Sequence, residues 1–396
     1  MPMFDYDIVT VGGGLGGAAL AKSMAERGSR VLVLERETEF KDRVRGEFVS
    51  PWGVAEMCEL GIYELIRDSA GVDAPITDLG FGPRDLSTTT PQQLPALGFS
   101  HPEMQEVVLS AAQSAGAKIQ RGVTVTNIES GSNPTVTFQN GNVIESITAR
   151  MVVAADGRTS AARTWGGFEL LEKPQSFFFA GLLLEGVKIP GGHSYLLFVP
   201  PLARLTAMTP TGRGRCRTYV AYEDQSGLRM QGEQGVGTFL SEAKKAEMVA
   251  DVFDEAQAVG PLASFRCGDF WVDHPYSNGV TLIGDAASTS DPAFGQGLST
   301  TVRDVRVLRD NLCATDDWEL AGHEYATEHD RYSNVVRKVS GWFRMMFLEQ
   351  GVEADERRAK ALPLIAQDET RAPDHLFSGP ELPCDDAVRR RFFGED

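Results

Sequence analysis

Hydrophobic residues occur along this chain in two spacings, and each spacing predicts a different kind of element. Ile8–Val11, Val31–Leu34, Met151–Ala155 and Val280–Ile283 are short, nearly unbroken apolar runs. Such runs indicate strands that are covered on both faces, as in a parallel sheet. Between the first two runs, residues 15–28 have helical spacing and end on a glycine, which favours a helix joining two parallel strands.

The middle of the chain has a different pattern, typical of antiparallel sheet. Phe177–Leu184, Tyr195–Val199 and Arg217–Tyr222 are rich in aromatic and β-branched residues, which favour strands. A further pair of strands is predicted around the turn at 131–134, and helices are predicted over 236–258.

These patterns predict an α/β protein with a discontinuous organisation. We expect a Rossmann-like dinucleotide-binding domain over 1–75, 101–170 and 271–330, with an inserted, mostly antiparallel β-sheet substrate domain over 76–100 and 171–270. The remaining residues, 331–396, are expected to form a helical C-terminal segment.

Composition and charge narrow the classes of function. The 396 residues are 42% hydrophobic and 23% charged, which is ordinary for a globular protein. A formal net charge of −17 disfavours nucleic acid as a partner, because phosphates would be repelled. The five cysteines are an odd number without a C-x-x-C pair, so we expect reduced thiols, no metal site and a cytoplasmic protein without a signal peptide. No apolar run reaches the ~18 residues that a membrane span needs.

The first apolar run leads into a glycine-rich turn. Gly12, Gly14 and Gly17 have the G-x-G-x-x-G spacing, in which glycines permit a tight turn, close approach of a pyrophosphate and close packing of helix on strand. The helix begins near Leu15, so its N-terminus would face the pyrophosphate. Glu35 ends the next strand, where an acidic side chain binds ribose hydroxyls. This motif leaves NAD and FAD open.

Two later segments favour FAD. Gly284–Asp285 follows the run 280–283 and places a carboxylate at a strand end, where ribityl hydroxyls can donate to it. The loop 291–298 contains two close glycines and precedes a predicted helix over 299–312. The N-terminus of that helix would stabilise the negative charge of a reduced flavin. Together with Asp156–Gly157 after the run 151–155, these segments indicate one bound FAD.

With these motifs the chain resembles the flavoprotein monooxygenases of the para-hydroxybenzoate hydroxylase type. The resemblance covers most of its length and implies the glutathione reductase-like form of the dinucleotide-binding fold. It implies that Gly284–Asp285 contacts the ribityl chain and that Asp156–Arg163 is the family's D-G-x-x-S-x-x-R motif, associated with FAD and NAD(P)H. It also implies that Arg45 lies near the flavin and its phosphates, and that His101 or Gln105 contacts the cofactor.

The chain departs from the family pattern at three positions. Ser288 stands where histidine is common after Gly-Asp-Ala-Ala, and Asp291 precedes Pro292 where two prolines are common. His101 stands at a helix start where arginine is usual. These departures make the substrate side less predictable than the cofactor side.

The resemblance implies a monooxygenase that uses FAD, O2 and NADPH or NADH. It would hydroxylate or epoxidise a small, largely apolar substrate through a flavin C4a-hydroperoxide, with aromatic compounds among the candidate substrates. Two alternatives stay open: a flavin-linked reductase of carbon–carbon double bonds, similar to geranylgeranyl reductases, and a non-catalytic protein that sequesters a ligand. A homodimer and a separate flavin reductase also stay open.

The expected site residues form three sets. Near the reacting atoms we expect Arg45, Pro292 and Phe294. The expected FAD contacts are Gly12, Gly14, Leu15, Gly16, Gly17, Glu35, Arg36, Arg45, Gln105, Val125, Asp156, Gly157, Gly284, Asp285, Pro292, Gly295, Gly297 and Leu298. The expected substrate contacts are Trp52, Tyr195, Phe198, Tyr219 and Phe294, with Arg204 and Arg217 as weaker candidates for holding an acidic substrate. Among the six histidines, only His101 and His193 are candidates for a catalytic role, on position alone.

Overall fold

The computed structural model describes residues 4–396, with only the backbone described for 174–176. The strands are β1 (Tyr6–Val11), β2 (Val31–Glu35), β3 (Phe48–Val49), β4 (Gly71–Ala74), β5 (Ile76–Asp78), β6 (Pro83–Asp85), β7 (Ala96–Phe99), β8 (Lys118–Arg121), β9 (Val123–Glu129), β10 (Thr135–Asn140), β11 (Val143–Ala154), β12 (Leu171–Glu185), β13 (His193–Val199), β14 (Arg204–Gly212), β15 (Arg215–Glu223), β16 (Gln257–Ala258), β17 (Ala263–Trp271), β18 (Tyr276–Ser277), β19 (Val280–Leu282) and β20 (Ser288–Thr289). The α-helices are α1 (Leu15–Ala25), α2 (Pro51–Glu59), α3 (Tyr63–Ala70), α4 (Leu86–Thr89), α5 (His101–Ser114), α6 (Ala162–Trp165), α7 (Val236–Ala243), α8 (Gly297–Ala314), α9 (Trp318–Phe347), α10 (Val352–Gln367), α11 (His375–Ser378) and α12 (Asp386–Phe392).

The first large sheet is built around parallel strands. Its order is β18-β19-β11-β1-β2-β8, with β9 and β10 attached to β11 as an antiparallel extension. The parallel register pairs Val11 with Leu34 and with Ala154, and pairs Ala154 with Leu282. All five residues of β2 are buried, because helices cover one face and the β9–β11 region covers the other. This explains the unbroken apolar runs.

The second large sheet is almost wholly antiparallel. Its order is β20-β17-β12-β15-β14-β13-β5-β6, with β16 on β12, and only the β13–β5 pairing is parallel. A small three-stranded sheet, β3-β7-β4, lies against it. A Cβ on Gly98 of β7 would lie 1.9 Å from the carbonyl oxygen of Pro210 in β14, so the two sheets meet at a position that only glycine fits.

Helices complete both layers. Helices α1, α3, α5, α8 and the first half of α9 share one apolar cluster against the parallel sheet. The second half of α9 packs with α10, α11 and α12 in a cluster that also contains side chains of the antiparallel sheet. Within residues 4–396, no helix is long and apolar enough to span a bilayer.

The predicted fold class is confirmed, while several details of the sequence prediction differ from the structure. Residues 236–258 contain only α7, a 3-10 segment and β16 rather than successive α-helices. Strand β14 was missed, because Pro210 and Gly212 interrupt its strand pattern. Residues 96–99 pair with β3 and β4, not with the substrate sheet, and the boundary drawn at 330 falls inside α9. The domain division therefore stays a prediction.

One buried carboxylate ties α8 and α9 to the parallel sheet. Asp304 of α8 is fully buried and accepts hydrogen bonds from Gly284 N (2.7 Å), His329 Nδ1 (3.0 Å) and the hydroxyl of Tyr332. These three groups come from the Gly284 turn and from α9. Asp304 therefore fixes the turn after β19 relative to both helices.

We expect Asp304→Asn to lower the free energy of unfolding by about 3 kcal/mol, because an amide cannot accept all three bonds and places a donor against a backbone N–H. Urea unfolding at neutral pH measures the change. The control is Asp310→Asn, on the same helix but with an exposed ion pair to Arg306, for which we expect a change within about 0.5 kcal/mol. Equal losses for the two variants would contradict the special role of Asp304.

Candidate cofactor and substrate site

A cavity of about 540 Å³ opens between the edge of the parallel sheet and the face of the antiparallel sheet. The turns after β1, β2, β11 and β19 contribute to one side of it, and side chains of β12, β13, β14, β15 and β17 contribute to the other. Its lining is thus polar and glycine-rich at the strand ends and largely apolar on the sheet face.

The turn after β1 has the geometry that its glycines predict. A Cβ on Gly12, whose φ is +101°, would lie 2.4 Å from the carbonyl oxygen of Ala155. A Cβ on Gly17 would lie 2.0 Å from the carbonyl oxygen of Gly12. Gly17 thus serves close packing of α1 and does not line the cavity, whereas Gly12, Gly14, Leu15 and Gly16 do.

Glu35 lies beside this turn at the end of β2. Its Oε2 accepts from Gly13 N at 2.6 Å and its Oε1 accepts from Glu37 N at 2.7 Å. These bonds hold the carboxylate of a buried side chain at the cavity wall, where it retains lone pairs for vicinal hydroxyl groups of a ligand.

Two helices begin at the cavity without a side-chain cap. Gly14 precedes α1 and Gln296 precedes α8, and neither helix has a side-chain hydrogen bond at its N-terminus. The first residues of both helices line the cavity. Uncapped N–H groups and the positive ends of two helix dipoles therefore face the same space, which favours negative charge there.

Two aspartates from different strand ends also face this space. Asp156 Oδ2 accepts a hydrogen bond from Ala162 N at 3.2 Å. The buried Oδ1 of Asp156 has no hydrogen-bond partner among the described residues. Burial raises the pKa of Asp285, although Arg45, Arg158 and Arg163 lower it. Arg163 itself donates to the carbonyl oxygens of Asp285 and Ala286 (both 3.4 Å), so it holds the turn from behind.

Cationic side chains line the cavity although the protein is acidic. Arg45 is exposed and forms no hydrogen bond or ion pair with the described residues. Arg158 donates to the carbonyl oxygen of Arg266 (2.9 Å), and its guanidinium lies 4.8 Å from the ring centroid of Phe270. Arg36, Lys41 and Arg43 line the same cavity. This side of the cavity is therefore suited to an anionic ligand.

The loop after β20 is held in place by contacts behind the cavity. Gln296 donates from Nε2 to the carbonyl oxygens of Phe294 (2.7 Å) and Leu376 (3.2 Å), and it accepts from Trp52 Nε1 at 3.0 Å. Trp52 is 1% exposed and is not among the lining residues described. Trp52 therefore holds the loop from behind the cavity, and the substrate contact expected for it stays a prediction.

The antiparallel sheet presents a mostly apolar wall. Phe179, Leu196, Tyr219 and Phe265 line the cavity together with Tyr195. The rings of Phe179 and Tyr219 stack at a centroid distance of 4.8 Å, and Phe265 meets Phe179 edge-on at 5.9 Å. This wall is suited to a flat apolar molecule.

Most residues expected at the site lie at the cavity. They are Gly12, Gly14, Leu15, Gly16, Glu35, Arg36, Arg45, Gln105, Val125, Asp156, Gly157, Tyr195, Tyr219, Gly284, Asp285, Pro292, Phe294, Gly295, Gly297 and Leu298, and His101 joins them. A position at the cavity does not show that a residue contacts a ligand, so the roles of these residues stay predictions.

Other expected residues lie elsewhere. Phe198 shares a strand face with Leu196, but its ring is covered by Phe347 (4.5 Å between centroids) and by Phe294 (6.3 Å). Arg204 forms a buried ion pair with Glu242 at 2.8 Å. The described residues that line the cavity do not include Phe198, Arg204, Arg217 or His193.

Several lining residues were missed by sequence reasoning. Glu47 lies two residues after Arg45, so it could have been included with that loop. Phe179 and Phe265 alternate along strands whose inward face the sequence does not reveal. Leu376 and Phe377 reach the cavity from the C-terminal segment, and no motif marks them.

The family comparison agrees with this geometry. The model of a family described as FAD binding domain matches residues 5–341. The chain therefore belongs to the FAD-binding domain family, and the FAD cofactor predicted from three motifs is confirmed at the level of the family.

Individual relatives show the same resemblance over much of the chain. Squalene epoxidase 3 of Arabidopsis thaliana is 26% identical over 324 residues, which are 78% of this chain and 60% of that protein. A digeranylgeranylglycerophospholipid reductase of Methanocella arvoryzae is 26% identical over 347 residues, 85% of this chain and 84% of that protein. The chain spans only about 60% of the length of the squalene epoxidases it matches.

A solved structure shows the same fold. The p-nitrophenol 4-monooxygenase PnpA of Pseudomonas putida DLL-E4 superposes with a TM-score of 0.78 at 21% sequence identity, covering 94% of this chain and 96% of that one. The arrangement of a parallel sheet, an antiparallel sheet and a helical C-terminal region is therefore the fold of that monooxygenase.

The residues present fit FAD. The unpartnered Oδ1 of Asp156, the free guanidinium of Arg45 and the uncapped N-termini of α1 and α8 all border the cavity. Glycines 12 and 14 leave the room at the turn that a pyrophosphate needs. A cofactor with a ribose, a pyrophosphate and an anionic ring would satisfy each of these groups.

A buried charge cluster supports the loop 291–298 from below. Arg344 of α9 lies 3.5 Å from Asp269 Oδ2 and 3.6 Å from Asp291 Oδ2, and Asp291 Oδ1 accepts from Ala293 N at 3.0 Å. Burial and, to a smaller extent, the nearby Asp291 raise the pKa of Asp269 to about 6, although Arg344 lowers it. Asp269 is therefore neutral in the folded protein at a pH where the unfolded chain ionises it.

We expect the substitution Asp269→Asn to stabilise the folded protein, relative to the wild type, by an amount that grows as the pH rises. In the wild type, stability due to neutral Asp269 is present below its ordinary pKa of 3.8 and is lost as the pH rises towards 6. The stability of the variant relative to the wild type should rise by up to about 3 kcal/mol between about pH 4 and pH 7. Chemical unfolding at several pH values measures it, with Asp273→Asn, an exposed neighbour, as the control. A pH-independent difference would contradict the raised pKa.

Proposed function

We propose that the protein is an FAD-dependent monooxygenase that uses NADPH or NADH and inserts one atom of O2 into a small, largely apolar substrate. The observation that carries the proposal is that one cavity has two unlike sides. One side has strand-end carboxylates, arginines and helix N-termini, and the other is an aromatic sheet face. Family membership and the epoxidase among the relatives support it.

In this proposal, named residues on the cofactor side bind each part of FAD. Glu35 would bind the adenosine ribose, the turn at Gly12–Gly16 and the N-terminus of α1 would bind the pyrophosphate, and Asp285 would bind the ribityl hydroxyls. Arg45 would pair with the phosphates or the flavin edge. The N-terminus of α8 and the loop 291–298 would lie at the isoalloxazine.

FAD bound in this way would supply the redox chemistry and the activation of O2. The chain itself would hold the substrate against Tyr195, Phe294 and the aromatic sheet face. Leu376 and Phe377 of the C-terminal segment close part of the cavity and would exclude water from it. No protein nucleophile is required for this division of work.

The reductase alternative has support of its own, because a digeranylgeranylglycerophospholipid reductase matches 85% of this chain. It would use the same cofactor side and deliver hydride to a carbon–carbon double bond. It differs from the leading proposal in needing no O2. A cytoplasmic location, a homodimer and a separate flavin reductase stay predictions.

Turnover distinguishes these activities. The purified yellow protein is mixed with NADPH or NADH and a panel of alkenes and phenols under 18O2, and products are analysed by mass spectrometry. A monooxygenase gives a product with one labelled oxygen and forms none under nitrogen. A saturated product formed under nitrogen would establish the reductase instead, and flavin that stays oxidised with every ligand would indicate a sequestering protein.

We expect Arg45→Gln to weaken FAD binding by roughly tenfold to a hundredfold, because it removes a charged donor worth about 1.5–3 kcal/mol. Fluorescence titration of the apoprotein with FAD measures the Kd. The matched control is Arg67→Gln, an arginine of α3 paired with Asp68, which should leave the Kd unchanged. Equal Kd values for the Arg45 variant and the wild type would remove Arg45 from the cofactor site.

A further inference from the structure

The C-terminal segment contributes two apolar side chains to the cavity. Leu376 and Phe377 lie on the one-turn helix α11, and both are buried and line the cavity. Phe294 of the loop 291–298 lines it as well. Gln296 donates from one nitrogen, Nε2, to the carbonyl oxygens of both Phe294 and Leu376. The loop and α11 are therefore neighbours and form one apolar end of the cavity.

Polar contacts fix α11 at both of its ends. Arg84 of β6 donates to the two carboxylate oxygens of Asp374, the residue before the helix, at 2.6 and 3.0 Å. Gln92 donates from Nε2 to the carbonyl oxygen of Ser378, the last residue of the helix, at 3.0 Å. The guanidinium of Arg84 also lies 5.6 Å from the ring centroid of Phe377. A bidentate arginine–carboxylate pair fixes orientation as well as distance, so α11 is held against the antiparallel sheet to which β6 belongs.

A packed aromatic cluster lies behind α11. Leu376 and Phe377 belong to the apolar cluster that also contains buried side chains of α9, α10 and α12. Within it, the ring centroid of Phe343 lies 5.9 Å from that of Phe294 and 5.2 Å from that of Phe392. Protein interiors are close-packed, so a ligand cannot extend past α11 unless this cluster is disrupted.

We propose that Leu376 and Phe377 form the end wall of the substrate chamber, and that Phe377 sets the largest substrate that the protein accepts. The proposal rests on the proposed function, for which it names the substrate class. That class is compact apolar ring compounds that carry at most a short chain. Arg84 is a positioning residue, because it acts on the chamber through Asp374 and the ring of Phe377.

The exposed rim of the cavity is unsuited to a long apolar chain. Lys41, Arg43 and Arg45 line the cavity and are exposed, so this rim is charged. The cavity of about 540 Å³ must also hold the flavin ring of the proposed cofactor. A long hydrocarbon chain would therefore lie partly in water beside cations, where its apolar surface gains nothing from burial. A compact ring can instead be buried completely against the aromatic wall.

A series of ligands with one ring and a growing chain measures the size limit. The FAD-loaded protein is titrated with 4-alkylphenols whose linear chains lengthen from methyl to octyl, and the change in the flavin absorption spectrum gives each Kd. We expect the affinity to rise by about fourfold for each methylene group that is buried, up to a sharp limit, and to fall beyond it. Affinity that keeps rising to the longest chain, or no binding of any member, would overturn the proposal.

Two variants of Phe377 should move this limit in opposite directions. Deleting a buried ring leaves apolar space that a ligand can fill, so we expect Phe377→Ala to accept chains that are longer by about two or three carbons. The first chain that the wild type rejects should gain about tenfold in affinity, and Phe377→Trp should shorten the limit.

The control for these variants is Phe392→Ala. It removes a buried ring of the same cluster that is not among the described residues lining the cavity, so the limit should stay unchanged. An unchanged limit in both Phe377 variants, or an equal shift in Phe392→Ala, would overturn the assignment. Should Phe377→Ala fail to fold, the wild-type series and Phe377→Trp still decide it.

Arg84→Met tests the positioning role. It removes both hydrogen bonds to Asp374, so we expect chains just beyond the wild-type limit to gain about tenfold in affinity. Arg84→Lys retains the charge and should show a smaller gain. The control is Arg215→Met, which breaks a partly exposed ion pair with Glu185 and should leave the limit unchanged. Equal gains, or none, in the two Arg84 variants with normal FAD content would remove Arg84 from the proposal.

These outcomes are separable from those of the turnover assay. A protein that shows the chain-length limit and its shifts but oxygenates nothing under 18O2 would support the end wall and contradict the monooxygenase. A protein that oxygenates its substrates but binds long and short chains without a limit would support the monooxygenase and contradict the end wall.

Discussion

The parallel register of β1, β11 and β19 is the constraint on which the site depends. Val11, Ala154 and Leu282 lie side by side in neighbouring strands, although they are separated by well over a hundred residues in sequence. The segments that follow each of them therefore begin at the same edge of the sheet. Gly12, Asp156 and Asp285 are brought to one cavity by backbone hydrogen bonds between strands, and each acquires its role from that position. Asp304 adds to this constraint, because it holds the Gly284 turn against α8 and α9.

The sequence was informative about this edge for a physical reason. Strands covered on both faces need unbroken apolar runs, and a turn that approaches a ligand needs glycine, so both leave visible signals. Gly12 and Gly17 illustrate this, since a Cβ at either position would collide with backbone oxygen atoms. Glu35 was identified in the same way, from its position at the end of β2. The backbone itself dictates these residues, and no tertiary information is needed to find them.

The aromatic wall on the other side of the cavity was predicted less accurately. Its residues are determined by packing between elements that are distant in sequence. Trp52 and Phe198 have the composition of substrate contacts, yet one bonds to Gln296 and the other stacks on Phe347. Glu47 has no motif, and its burial depends on Arg217 and Tyr219, more than a hundred residues later. Alternation along a strand gives two faces but does not say which faces the cavity. Leu376 and Phe377 were even harder to predict, because they reach the cavity only through the course of the C-terminal segment.

The distribution of charge links the two walls. The chain carries a net charge of −17, yet Arg45, Arg158 and the N-termini of α1 and α8 make the cofactor side of the cavity locally positive. A dianionic pyrophosphate there would be balanced by groups that have few other partners. A charge buried at the aromatic wall would instead be costly unless it is paired. On the opposite side, the buried guanidinium of Arg217 is already paired with Glu47 at 3.2 Å and with Asp42 at 2.7 Å. The positive charge that faces the cavity is therefore concentrated on the cofactor side, where Arg36, Arg45 and Arg158 lie.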